Sequence, residues 1–250
     1  LGQYFVRADG ALLATALDWV RPTPASNILI VAIDDPSVAA IGRWPWRRAL
    51  HAELLRRISL GGPRCIGLDL LLDDANSHYP EDDLVLAQGI KAAGCVVLPL
   101  ALQVPANNDQ LQSELLPAGA LADAATALGH SHLSIDSEGD IKGVYLSEGF
   151  PGRQWPQFSL ALHQAANAAL QPQPSRAEGP RTSPPEGRWQ RQHEELLIYN
   201  KPTDHFQTVS YIDVLRGNVP PEVFRDRYVL VGATSVTNAD MFALLSPGYL

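Results

Sequence analysis

A chain of 250 residues, 46% hydrophobic and 18% charged, has the make-up of one large α/β domain, or of one domain with an extension, and can bury a substantial core. A formal net charge of −8 and a pI near 5.3 leave no basic stripe to neutralise phosphates, which excludes nucleic acid and disfavours an anionic membrane surface as direct partners. Two cysteines are too few for a disulfide scaffold or a zinc module, and no run of about 18 apolar residues is present to span a membrane. The sequence opens on Leu1 with no secretory leader and reads as excised from a longer chain.

In chain order, Phe5, Leu12, Leu13, Ala16, Leu17 and Val20 recur at helical spacing and predict an amphipathic helix over 4–20, stopped by Arg21-Pro22-Thr23-Pro24. Residues 27–33 form a near-continuous apolar run, the pattern of a parallel strand covered on both faces. Asp35-Pro36-Ser37 starts a short helix with proline in its first turn. After Gly42-Arg43-Trp44-Pro45-Trp46, residues 47–60 predict a helix with Leu50, Leu54, Leu55 and Ile58 on one face, closed by Gly61-Gly62-Pro63.

Residues 65–72 and 95–102 predict two more buried strands, with a helix over 82–93 between them that ends at Gly94. This alternation predicts right-handed crossovers and a mainly parallel sheet. Residues 103–125 read as a polar connection with a short helix, and 128–135 with 141–148 as a β-hairpin across 136–140. A helix over 157–170 follows, then a proline-, serine-, glycine- and arginine-rich mobile surface loop over 171–190. Buried strands are expected at 196–199 and 228–231, with a short helix over 211–216 between them, capped by Ser210 and terminated by Gly217. The fold class is therefore α/β, with a mainly parallel central sheet flanked by helices, an added β-hairpin and an N-terminal helix.

Ligands of open α/β sheets bind outside the carboxyl ends of the strands. Asp34 and Asp35 lie at that end of the first strand and Asp69 at that of the second. If the strands are neighbours, three carboxylates crowd one rim and call for a cation. Arg47 or Arg48 from the next helix would serve as a structural partner; a divalent metal or a ligand are the other readings. Trp44 and Trp46 either stack on a bound ring or cation or pin the loop over the sheet end. His51, one turn beyond the two arginines, is either a satisfied structural histidine or a group titrating near neutral pH. His130 and His132 share one face of a strand and could hold a metal, but spacing supplies no third ligand. Cys65 and Cys95 each open an apolar strand, as two buried thiols or, in an oxidising compartment, as a disulfide between neighbouring strands. No esterase elbow, Walker loop, zinc-protease helix or dinucleotide fingerprint is present, so no catalytic residue, metal site or cofactor is assigned.

Ile30-Val31-Ala32-Ile33-Asp34-Asp35-Pro36-Ser37, Gly42-Arg43-Trp44-Pro45-Trp46, Arg48 and His51-Ala52-Glu53-Leu54-Leu55 together resemble the CHASE2 domain. The likeness continues in Ile66-Gly67-Leu68-Asp69-Leu70-Leu71, Val96-Val97-Leu98-Pro99 and Leu128-Gly129-His130, with Asp136 and Gly139 beyond. It returns in Phe206-Gln207-Thr208-Val209-Ser210-Tyr211, Asp213-Val214-Leu215 and Val229-Leu230-Val231-Gly232-Ala233-Thr234. The family often has proline after the second tryptophan, where this chain has Arg47, and the 171–190 loop is longer than usual.

The resemblance implies an extracytoplasmic sensor on the periplasmic face of the bacterial inner membrane, tethered by flanking membrane helices. It implies control of a cytoplasmic adenylate or diguanylate cyclase, histidine kinase or serine/threonine kinase. On this reading residues 1–24 are a juxtamembrane-type helix through which two copies pair, and 25–250 the sensor domain, answering a small-molecule or protein stimulus. Its candidate ligand-binding residues are Asp34, Asp35, Trp44, Trp46, Arg48, His51 and Asp69. Trp46, Arg48 and Asp34 are expected mainly to build the corner, and a ligand to touch Trp44 and the acidic rim. A metal-assisted phosphohydrolase using Asp34, Asp35 and Asp69, and a purely structural dimerisation module, are the alternatives.

Overall fold

The computed structural model describes residues 24–76, 78–103, 113–135, 141–168, 188–198 and 205–234. The helix expected over 4–20, the 136–140 turn and 171–187 of the expected loop lie outside these residues. Ile28–Ile33 (β1) is paired in parallel on both sides, with Gln207–Ser210 (β10) and Tyr228–Ala233 (β11). Leu29, Val31 and Ile33 of β1 are fully buried in the main core, while Ile28 and Ile30 on its other face are partly buried. Next to β11 lies Cys65–Leu68 (β2), then Val96–Gln103 (β3), both parallel. Ala127–His130 (β5) pairs in parallel with Val97 to Leu100 of β3, and Ser113–Leu115 (β4) is antiparallel to Ala101 to Gln103. The sheet is thus mixed but mostly parallel, and helices flank it, as the sequence pattern predicts.

Asp35–Ile41 (α1), Arg48–Ser59 (α2), Pro80–Ala93 (α3), Gly119–Ala124 (α4) and Tyr211–Arg216 (α6) form one layer of packed neighbours. Leu54, Leu55 and Ile58 of α2 and Leu86 and Ile90 of α3 meet Leu29, Val31, Ile66, Leu68, Val96, Leu98, Val229 and Val231 of the strands. Alternate strand residues face the other way: Cys65, Val97, Tyr228 and Leu230 meet Phe158–Ala166 (α5) through Phe158, Ala161 and Leu162. This is the period-2 alternation of a strand read out as two cores. Gly129 makes that contact close, because a Cβ there would lie 2.7 Å from Phe158 Cα.

A second, antiparallel sheet is built on Ile141–Phe150 (β7), flanked by Ser134–Ile135 (β6), Arg153–Pro156 (β8) and Gln190–Leu196 (β9). It is tied to the first sheet by Arg153, whose guanidinium meets the buried carboxylate of Glu114 on β4 at 2.7 Å, and by Trp155 Nε1, which donates to Glu114 Oε1 at 2.8 Å.

Four expectations change. The second strand stops at Leu68; Asp69 to Leu72 leave the ladder, with only Leu70 and Leu72 buried. The expected hairpin splits, because β5 finds a parallel partner in β3 and only Ser134–Ile135 turns back on β7. The strand expected as buried at 196–199 is Gln190–Leu196, an exposed strand lying on β7. Cys65 and Cys95 are joined as a disulfide, Cα atoms 4.8 Å apart, because pairing of Ile66 with Val96 sets the two residues before them side by side.

Candidate functional site

The first strand delivers Asp34 to its carboxyl end, where it becomes the N-cap of α1. Its Oδ1 accepts from the Ser37 backbone N–H at 3.0 Å and from the hydroxyls of Ser37 and Ser210 at 2.5 and 2.8 Å. Ser37, fully buried, in turn accepts from the Ile212 N–H at 3.1 Å. One carboxylate therefore closes α1 and fastens it to the start of α6. Ser210 occupies the N-cap position of α6 but makes no cap bond there; its hydroxyl is spent on Asp34. Asp35 is exposed in the first turn of α1.

The Trp44–Pro45 peptide is cis, and the two indoles lie on the same side of the turn, their centroids 5.3 Å apart. Trp46 is buried, donates Nε1–H to the Gly42 carbonyl at 2.8 Å and packs on Tyr211 at 5.1 Å. His51 lies 5.7 Å from the half-buried Trp44 and shares a 2.8 Å hydrogen bond with the Tyr211 hydroxyl through Nδ1. Burial, reinforced by the charge of Arg48, lowers its pKa to about 4, so His51 is neutral at physiological pH and the reading of a group titrating near neutrality is set aside. Burial likewise raises the Tyr211 phenol far above its ordinary value.

The two arginines do not enter the Asp34–Asp35–Asp69 rim, as one sequence reading required. They pair instead with the acidic first turn of α3. Arg47 grips Asp82 through Nε at 3.0 Å and Nη2 at 2.7 Å, and lies over the Tyr79 ring at 4.1 Å. Arg48, buried, meets Asp83 Oδ1 at 2.5 Å and the Asp74 carbonyl. Arg47 at the N-cap of α2 has no side-chain acceptor for that helix; Asp82 supplies one from α3, accepting the Ala49 N–H at 3.4 Å. The Arg47 guanidinium holds the Asp82 carboxyl below the usual carboxylate range.

Asp69 sits past β2 with its backbone N–H bonded to the Val231 carbonyl at 2.8 Å and its side chain over Gly232. The strand β11 therefore stands between Asp69 and Asp34, and β1 and β2 are not neighbours. Asp69 is exposed to solvent, yet surrounding protein displaces enough water to push its carboxyl upward; its open surface limits that rise. Of the seven candidate residues, Asp34, Trp46, Arg48 and His51 are thus bound into the corner, while Trp44 is half-buried and Asp35 and Asp69 reach solvent.

A second cluster lies where the two sheets meet. His130 ends β5 and is fully buried; His132 follows two residues on; Glu148, fully buried, comes from β7. His132 Nδ1 is 2.7 Å from Glu148 Oε2, and Trp189 Nε1 donates to the same oxygen at 2.7 Å. Burial alone would raise the Glu148 carboxyl, but the contacts from His132 and Trp189 bring it below its ordinary value. Among the described residues neither ring nitrogen of His130 makes a well-formed hydrogen bond, only a looser approach to the Tyr145 backbone, and Glu148 Oε1 accepts none, with Arg191 Nε 3.6 Å away. Desolvation, partly offset by the Glu148 charge, lowers the His130 pKa to about 4. Donor atoms of the three residues lie within 4.8 Å of one another, and among the described residues this is the one group of three or more such side chains that could hold a metal ion. The pair of histidines was visible in the sequence as a period-2 repeat. Glu148 was not; it lies in the buried end of β7, between Leu146 and Phe150, where the sequence Leu146-Ser147-Glu148-Gly149-Phe150 does not mark it.

A mainly parallel sheet whose strand-end face closes into an aromatic, charge-paired corner defines an α/β domain. The family model of the CHASE2 domain matches residues 4–244, essentially the whole chain. The chain belongs to the CHASE2 family of extracytoplasmic sensor domains, which are sensory rather than catalytic. No curated protein and no solved structure matches it. No helix among the described residues is long and apolar enough to cross a membrane.

Proposed function

We propose that this chain is the periplasmic stimulus-sensing domain of a bacterial membrane-bound receptor, set between flanking membrane helices and controlling a cytoplasmic cyclase or kinase. The observation that carries the reading is the family match over residues 4–244. The Cys65–Cys95 disulfide supports the compartment, since such bonds persist where the surroundings are oxidising. The stimulus, a small molecule or a protein, contacts the open part of the strand-end rim: Trp44, Asp35 and Asp69, the candidate residues left at or near the surface while their neighbours are consumed in packing.

Two measurements on the intact receptor test this. Alkaline phosphatase inserted in a surface loop of the domain should be active, because it folds only in an oxidising compartment; an inactive phosphatase with full-length protein present sinks the periplasmic assignment. Trp44→Ala, together with Asp69→Asn, should change the cytoplasmic output in membranes while leaving the domain folded by circular dichroism. Unchanged output under every condition that activates the parent receptor rules out the rim as the sensing surface.

A further inference from the structure

We propose that His130, His132 and Glu148 form a binding site for a divalent transition-metal ion of the zinc class. The site stands apart from the strand-end rim and does not depend on the domain's role as a sensor.

The donor set is the first ground. Two imidazoles and one carboxylate are nitrogen and oxygen ligands suited to zinc, and three protein ligands leave a fourth position for water or an incoming group. Magnesium and calcium prefer cages of oxygen alone, so the histidines select against them.

The poorly paired atoms are the second ground. His130 is fully buried, and among the described residues neither its ring nitrogens nor Glu148 Oε1 make a well-formed hydrogen bond; His130 has only a looser approach to the Tyr145 backbone. Buried polar groups are nearly always satisfied, and each that is not calls for a reason such as a bound ion. A ring placed only for packing would gain nothing from nitrogens that lose water and find no good replacement; a phenyl group would serve better. Glu148 Oε1 and the unprotonated nitrogen of a neutral His130 ring each offer a lone pair to a metal, while the other His130 nitrogen carries the proton.

Geometry is the third ground. The His130 and His132 rings have centroids 5.6 Å apart at an interplanar angle of 35°, and one donor atom from each of His130, His132 and Glu148 lies within 4.8 Å of the others. Glu148 Oε2 is held by Trp189 Nε1 and by His132 Nδ1, both at 2.7 Å, which leaves Oε1 as the donor to the ion. Metal-bound carboxylates and imidazoles are commonly fixed in this way by outer hydrogen bonds. Arg191 Nε stands 3.6 Å from Oε1 and has to yield its place to the ion. Because His130 belongs to the large sheet and Glu148 to the small one, the bound ion would clamp the two together.

The test uses the oxidised domain without chelator or reductant, titrated with ZnCl2 and, separately, MgCl2 by isothermal calorimetry. One equivalent of zinc should bind with a raised melting temperature, and magnesium should not bind. His130→Phe keeps a ring of similar shape and removes both ring nitrogens. It should fold at least as well as the parent in EDTA and lose at least tenfold in zinc affinity. His163→Ala, on an exposed histidine of α5, should bind zinc as the parent does. Glu148→Gln should weaken zinc binding as well, with its fold checked by circular dichroism. The proposal is overturned if the parent takes up no zinc at about 100 μM, a weak limit for a three-ligand site, or if folded His130→Phe binds it with unchanged affinity. Loss of binding in His163→Ala with retention in His130→Phe would also overturn it, by placing the ion at the surface.

Discussion

The corner around Trp46 and the junction around Glu148 each bury a histidine, and they treat it in opposite ways. In the corner, His51 has the Tyr211 hydroxyl at 2.8 Å, Trp46 has the Gly42 carbonyl, and both arginines end on carboxylates. At the junction, neither nitrogen of His130 nor Glu148 Oε1 makes a well-formed hydrogen bond among the described residues. The difference separates polar groups that serve the fold from polar groups the fold does not explain. A buried network whose members satisfy one another needs nothing from outside, whereas one that is half satisfied is destabilising unless something completes it.

That contrast can be broken most forcefully at Arg48. Asp83→Ala strands a buried guanidinium and should cost about 3–5 kcal/mol in urea denaturation; a loss well under 1 kcal/mol would mean the corner is looser than its distances indicate. Acid should act next most strongly. His51 has a folded pKa of about 4 against about 6.5 unfolded, so the unfolded chain takes up a proton first. Its contribution is fully present above pH 6.5 and is lost as pH falls from there toward 4, by about 3 kcal/mol. Denaturation followed across that window, with His51→Leu as the comparison, should show a shallower slope in the variant. Smaller still is the loss of one hydroxyl. Tyr211→Phe leaves His51 Nδ1 unpaired and should cost about 1–3 kcal/mol. His130→Phe, which leaves no partner behind, should cost little or nothing in the absence of metal. Equal losses in these last two would erase the distinction between the regions.

Most of the individual elements could be read from residue pattern. The runs around Ile30 and Val229 gave parallel strands because both faces are covered, and Gly94 and Gly217 closed helices where positive φ was needed. The order of the strands was not legible, since an apolar strand carries no mark of which neighbour it takes. Only the fold reveals that β11 parts Asp34 from Asp69, which dissolved the imagined cluster of three carboxylates. Gln190–Leu196 escaped because it is exposed along its whole length and is held by the β7 ladder rather than by buried side chains. Of the candidate site, the Trp-Pro-Trp turn was conspicuous from composition alone. The partners of its arginines, Asp82 and Asp83, lie 35 residues on in the first turn of α3, a pairing no local pattern marks.

The position of β11 also bears on how the protein is made. It occurs late in the sequence yet lies inside the sheet, hydrogen-bonded to β1 on one side and β2 on the other. Without β11 no ladder joins β1 to β2, because β11 is the strand that pairs with both. Both facing edges carry unpaired backbone groups, and an open edge of that kind invites pairing with another chain. The α/β core thus cannot assemble progressively from its amino end. Its sheet is complete only once the late strand has paired with both early ones.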